Sequence, residues 1–247
     1  MVVPEATRNT IRLKPLMRSR YDFTSLARSV LRNETAESFV GLNILDSAGF
    51  CLEPFWNTPG DTEGLCYASY IAKPPLFDLS VREGVFERLC AAGACLPKEW
   101  KLVLKAGFRP YEVQVEVLHS FINESRARHF DWSDEQHIAQ ARMFVADPTV
   151  VCPPHVTGGA VDVDVRDRKT DEYIDMGCPP NTDSEISFIH NDALTAAKYK
   201  NRMTLLNAML SAGFAPNPHE WWHYQYGETY WAAFYGHEST LYDLITV

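Results

Sequence analysis

Apolar positions along this chain follow two periods. The segment Gly159-Ala160-Val161-Asp162-Val163-Asp164-Val165 alternates strictly. As a strand it puts Val161, Val163 and Val165 on one face and the two carboxylates on the other. Lys101-Leu102-Val103-Leu104-Lys105-Ala106 is a short apolar run of the kind found in buried strands. Residues 36–51 are apolar, with Gly41 and Gly49, and predict a strand near Phe39–Leu45. Arg166 to Glu172 reads as a hairpin turn, and Phe214 to Gln225 as extended chain.

Elsewhere the spacing is helical. Ser80 and Glu83 stand at capping-box distance ahead of a helix to Ala92, with Gly93 suited to the left-handed position at its end. Pro110 can open a second helix at its first turn, and Val117, Leu118, Phe121 and Ile122 give that helix an apolar stripe. A third helix fits Asp192 to Ser211, with Met203, Leu206 and Leu210 on one face and Gly213 after it. Asn57-Thr58-Pro59-Gly60-Asp61 signals a turn, and Asp147-Pro148 and Pro153-Pro154 bracket a loop. Strands and helices mix without βαβ alternation. The expected class is α+β, a central, largely antiparallel sheet flanked by helices. The basic, weakly patterned start predicts a loose arm over 1–35, with a single domain over 36–247.

Composition narrows the function. The net charge is −9 and no Lys/Arg run stands out, which argues against nucleic acid as a partner. No run of about 18 apolar residues is present to span a bilayer. The first residues lack an apolar signal core, so the expected location is cytoplasmic. Six cysteines at 51, 66, 90, 95, 152 and 178 form no Cys-x-x-Cys pair. They read as reduced, mostly packed thiols rather than a structural zinc knuckle. Oligomeric state is not specified by the sequence.

The candidate chemistry lies in two segments. His155 precedes the alternating strand, and Gly158-Gly159 lets the chain turn back so that His155 and Asp162 can meet one ion. Asp164 is the rival carboxylate, since it shares Asp162's face. The bland alternative is a loop histidine beside solvated strand carboxylates. His219-Glu220-Trp221-Trp222-His223 matches H-E-x-x-H, a motif that needs a helix to bring both imidazoles onto one metal. Pro216, Pro218 and the surrounding aromatics favour extended chain instead. The reading adopted is Glu220 as general base and His223 as ligand, with His219 outside. It requires a bend, because a straight strand would put Glu220 and His223 on opposite faces. The alternative is an aromatic core cluster with incidental polar neighbours. Arg109, between Phe108 and Pro110, is placed to stabilise an oxyanion, although a surface ion pair is the commoner fate of such a residue.

Gly107-Phe108-Arg109-Pro110, His155-x-x-Gly158-x-Ala160-x-Asp162 and Glu220-Trp221-Trp222-His223-Tyr224, in that order, resemble the D-alanyl-D-alanine dipeptidases of the VanX type. These belong to the M15 zinc peptidases, alongside D,D-carboxypeptidases and the Hedgehog signalling domain. Met176-Gly177, and Asn201-Arg202 through Gly213-Phe214, agree with the same family. The resemblance implies a Hedgehog/D,D-peptidase-like fold and one Zn2+ per chain on His155, Asp162 and His223. Glu220 becomes the base, Arg109 the transition-state stabiliser, and a small dipeptide such as D-Ala-D-Ala the substrate. Two positions depart from the family. Pro153 stands where a serine usually helps hold substrate. Asn181 stands where an acidic residue usually receives the substrate's amine, with Asp183 close enough to substitute. Asn181 and Asp183 remain candidate substrate contacts. These departures keep open a related D,D-carboxypeptidase or amidase acting on cell-wall peptides. A non-catalytic metal-containing binding module is a third reading, disfavoured by the retained Glu220 and Arg109.

Overall fold

The computed structural model describes residues 29–41, 50–53, 79–142, 145–182 and 184–245. In chain order its elements are β1 (Phe39–Val40), β2 (Cys51–Leu52), β3 (Val81–Arg82), α1 (Glu83–Cys95), β4 (Trp100–Ala106), α2 (Tyr111–Arg128), α3 (Asp134–Ala141), β5 (Ala160–Asp167), α4 (Ala196–Ser211), β6 (Ala215–Pro216), β7 (His223–Gln225) and α5 (Thr229–Tyr235). The main sheet has the order β2-β4-β5-β7-β6. β2 runs parallel to β4, and every other pair is antiparallel. β1 and β3 form a separate two-stranded antiparallel sheet. The class is α+β, as expected.

The strict alternation of β5 decides the layout. Val161, Val163 and Val165 join Leu102 and Leu104 of β4 in one apolar cluster, together with Leu89 of α1 and Leu205, Leu206 and Met209 of α4. The carboxylate-bearing face of β5 is therefore turned away from that core. α2 and α3 close a second, smaller cluster from Val113, Val117, Leu118, Ile122, Ala141 and Val145.

Several boundaries differ from expectation, each for a local reason. α1 begins at Glu83, and the Ser80–Glu83 box does not form, because Val81 and Arg82 are taken into β3. The Ser80 carbonyl instead accepts from Phe108 N–H at 2.8 Å. Gly93 lies inside α1, which ends at Cys95. Pro110 is the residue before α2 rather than within its first turn. α4 starts at Ala196, where the Thr195 side chain accepts from Lys198 N–H. α3 went unforeseen, although Ser133 and Gln136 form a full capping box there. α5 also went unforeseen; it opens on Glu228, whose carboxylate accepts from Tyr230 and Trp231 N–H.

Of the expected strand at Phe39–Leu45, Phe39–Val40 forms, and residues 42–49 lie outside the described part, as do Asn57–Asp61 and residues 1–28. The last residues of the expected arm are tied to the C-terminal segment. Leu31 N–H donates to Glu238 O at 3.0 Å and Thr35 N–H to Leu241 O at 2.8 Å. Among the described residues no helix is long and apolar enough to cross a membrane. Cys51, Cys90, Cys95, Cys152 and Cys178 are free thiols.

Candidate metal centre

Strand register brings the two halves of the site together. Asp162 pairs with Ala106 of β4 on one side and with His223 of β7 on the other. The β4–β5 ladder is irregular between Leu104 and Ala106, beside Asp162. His155 arrives from a 3-10 turn over Pro154–Thr157 that ends at Gly158, whose φ of 73° is left-handed. Gly159 follows, with Tyr226 N–H donating to its carbonyl at 2.8 Å. A side chain at Gly159 would run into the Tyr226 carbonyl. The Gly-Gly pair thus makes the reversal that the sequence suggested.

His155, Asp162 and His223 are all buried, and each offers a ligand atom within 4.8 Å of the others. His155 Nδ1 lies 2.8 Å from the Gly107 carbonyl. A carbonyl only accepts, so Nδ1 carries the proton and Nε2 is the lone-pair nitrogen. Nε2 lies 3.4 Å from Asp162 Oδ2, and His223 Nδ1 lies 2.9 Å from Asp162 Oδ1. The imidazoles meet edge to face, centroids 4.9 Å apart. Two imidazoles and one carboxylate, one imidazole already oriented by a backbone carbonyl, are the donor set of a hydrolytic zinc site with an open position. The residues fit the ion.

Burial and mutual contacts shift the titration of all three groups. Burial holds His155 below the ordinary imidazole value, and the nearby Arg109 and His223 add to this, so the neutral ring is favoured. Burial opposes ionisation of Asp162, yet the flanking His155 and His223 outweigh it and keep the carboxyl well below the usual range. Burial alone would lower His223, but its contact with Asp162 raises it.

Glu220 approaches from a tight bend rather than a helix. Its N–H donates to Asn217 O at 3.3 Å, its carbonyl accepts from His223 N–H at 3.2 Å, and Asn217 N–H closes the loop on His223 O at 3.0 Å. The bend puts Glu220 Oε2 3.9 Å from His223 Nδ1. Burial raises the Glu220 carboxyl above its ordinary value. His219 is turned away, its ring edge-on to Phe188 with centroids 4.7 Å apart. Asp164 is buried, accepts from Val165 N–H at 2.8 Å, and is not part of the trio.

Arg109 is near enough to the same centre for its charge to act on it. Its N–H donates to His155 O at 3.1 Å, and its charge disfavours protonation of both His155 and Glu220. Its Nη1 donates to Gln114 Oε1 at 2.9 Å, and Gln114 is fixed in turn by the Ala146 carbonyl. Gln114 and Asn217 are site neighbours that sequence reading did not single out. Gln114 gave no signal beyond lying five residues after Arg109 in the expected helix; Asn217 was visible only as the residue between two prolines. Asn181 has a left-handed φ of 61° and a buried side-chain nitrogen without a hydrogen-bond partner among the described residues. Asp183 lies outside the described residues.

The family model for peptidase M15, described as D-Ala-D-Ala dipeptidase, matches residues 80–240. The chain belongs to this family. Within M15, a D-alanyl-D-alanine dipeptidase of Synechocystis sp. (strain ATCC 27184 / PCC 6803 / Kazusa) is 28% identical over 182 residues, 62% of this chain and 71% of the relative. Two solved structures also align. The vancomycin-resistance D,D-pentapeptidase VanY from a VanB-type cassette, in complex with Zn(II), is 20% identical with a TM-score of 0.38, covering 60% of this chain and 72% of that one. VanYB in complex with D-Alanine-D-Alanine is 17% identical with a TM-score of 0.39, covering 64% and 78%. The M15 match spans every residue of the cluster, from Arg109 to His223.

Proposed function

We propose that this M15 protein is a zinc-dependent dipeptidase that hydrolyses D-Ala-D-Ala or a similar small dipeptide, with residues 36–247 acting as one catalytic domain. The observation that carries the reading is the placement of Glu220 Oε2 3.9 Å from His223 Nδ1, beside the buried His-Asp-His trio. His155 Nε2, the Asp162 carboxylate and His223 Nδ1 would hold one Zn2+. Bound zinc supplies Lewis acidity toward water and toward the scissile carbonyl.

The remaining work falls to side chains of this chain. Glu220 takes a proton from the attacking water at its carboxylate and delivers it to the leaving amine. Its raised carboxyl suits it to hold that proton between the two transfers. Arg109, held by Gln114, offers cationic N–H groups to the oxygen that gains charge as the carbonyl becomes tetrahedral. The Gly107 carbonyl keeps His155 in the tautomer that points Nε2 inward. The test is zinc content together with D-alanine release from D-Ala-D-Ala, with and without a chelator. The reading expects release that stops on chelation and returns with zinc; a zinc-loaded protein that leaves the dipeptide intact would overturn it.

A second reading has support of its own. Pro153 has neither a hydroxyl nor an N–H to offer a substrate. Asn181 offers an amide, its nitrogen without a partner among the described residues, rather than a carboxylate for an ammonium group. Both features favour a longer or blocked D,D-peptide over a free dipeptide. A panel of free and N-acylated D,D-peptides separates the two, since cleavage confined to free dipeptides rules the second out.

A further inference from the structure

Asn217 makes more contacts to the base-bearing bend than any role as a plain turn residue needs. It stands between Pro216 and Pro218, neither of which has an N–H. Its own N–H and carbonyl close the bend onto His223 O and from Glu220 N. Its side chain is engaged at both ends. Oδ1 accepts from His219 N–H at 3.1 Å, and Nδ2 donates to Glu220 Oε2 at 2.8 Å. That orientation is not interchangeable. Flipping the amide would set an N–H2 against an N–H and a carbonyl oxygen against a carboxylate, losing both bonds.

We propose that Asn217 is a positioning residue for the reaction: its side-chain amide, anchored by His219 N–H, fixes the Glu220 carboxylate in its working orientation. The proposal rests on Glu220 being the general base. With Oε2 held by Asn217, the carboxylate keeps its heading toward the trio, 3.9 Å from His223 Nδ1. Among the described residues no other donor binds Glu220's carboxylate, so without Asn217 the side chain is free to turn about its terminal torsions.

Asn217→Asp separates this role from a purely structural one. Aspartate keeps the acceptor for His219 N–H but replaces the donor facing Glu220 with a second carboxylate. Asn217→Ala removes both. Zinc per chain, melting temperature, kcat and KM are measured for the wild type, both variants and Glu220→Ala, on the D,D-peptide the wild type cleaves. The expected result for Asn217→Asp is a kcat lower by about 100-fold, as for a misplaced catalytic group, with KM within about three-fold and zinc and melting unchanged. Asn217→Ala should lose kcat similarly. Near-normal kcat in Asn217→Asp overturns the proposal while leaving the peptidase reading intact. Zinc or melting lost in step with activity in both variants assigns Asn217 to the fold and also overturns it. A zinc-loaded wild type inactive on every D,D-peptide overturns the peptidase reading, and this inference with it.

Discussion

Glu220 and His223 are three residues apart, and the bend between them makes two chemically different carboxylate–imidazole relationships. Asp162 sits 2.9 Å from His223 in the buried trio, whereas Glu220 sits farther out, 3.9 Å away, with its side chain a quarter exposed. Removing one should affect chemistry, removing the other binding. Glu220→Ala is expected to keep its zinc while peptidase activity falls by about 100- to 10,000-fold, the usual weight of a positioned acid–base group. His223→Ala is expected to lose zinc, since two protein donors rarely hold the ion where three are the rule. Elemental analysis beside a turnover assay checks both. The sequence exposed these residues because their types carry the chemistry. It could not expose Asn217 or Gln114, whose weight comes only from what they touch. An asparagine between prolines and a glutamine on a helix are unremarkable until Glu220 and Arg109 are found at their ends.

At the scale of elements, α4 does more than cover the sheet. Arg202 on it is 1% exposed, and its guanidinium donates to the carbonyls of Met176, Ile186 and Phe188 and to Cys178 Sγ. The segment so held hands on the constraint: Trp221 N–H donates to Ser187 O, and Ser187 Oγ to His219 O. α4 is thereby tied to the Glu220 bend, and the Arg202 guanidinium also lies 5.9 Å from the Trp221 ring within it. Arg202→Met leaves three carbonyls unsatisfied and is expected to cost about 3 kcal/mol or more, measured by denaturant unfolding.

The loop leading to His155 has a similar device in Asp147. It accepts from Thr149 N–H and Oγ1 at 2.8 and 2.7 Å, and from Arg142 Nε and Nη2 at 2.8 and 2.6 Å. Burial alone would raise this carboxyl, but the bonds from Thr149 and Arg142 prevail and lower it. A carboxyl depressed by folding contributes stability above its unfolded value, near about 3.9, and loses it as the pH falls through the folded value. Asp147→Asn should therefore be less stable than wild type at pH 7, the deficit shrinking below about pH 4 in pH-resolved unfolding. Helix termini show the limit of local rules here. Ser80 and Glu83 have the spacing of a cap, yet β3 pairing with β1 claims that stretch. Ser133 and Gln136 make a true box in a segment whose weak apolar pattern gave no reason to look.

Across the whole molecule, the N-terminal segment, β3 and the C-terminal segment converge on Arg82. This residue is 4% exposed and donates to Thr157 O, Glu37 O and Glu34 Oε2. Its guanidinium lies 4.9 Å from the Phe39 ring and 5.1 Å from the Tyr242 ring. Glu37 also receives Tyr242 OH at 2.6 Å and Gly84 N–H at 2.9 Å. Thr157 belongs to the turn that presents His155, so this clasp backs the metal centre from behind. Arg82→Ala leaves the Thr157 and Glu37 carbonyls without their donor and is expected to destabilise the protein by about 2–3 kcal/mol in denaturant unfolding; an unchanged stability would show that the chain ends are held without this clasp.

What the sequence determined by itself was the candidate donor set and the sheet face that bears it. The alternation around Asp162 fixed which side chains share a side, and the prolines before Glu220 excluded a helix. Both follow from backbone geometry local to a few residues. What only tertiary structure decided was convergence. The pairing of Asp162 with His223, 61 positions later, the Gly107 carbonyl on His155 and the Arg202 clasp on the 176–188 segment depend on long-range register and packing. No short window of sequence encodes contacts of that kind, because they form between segments whose separation along the chain leaves no local pattern.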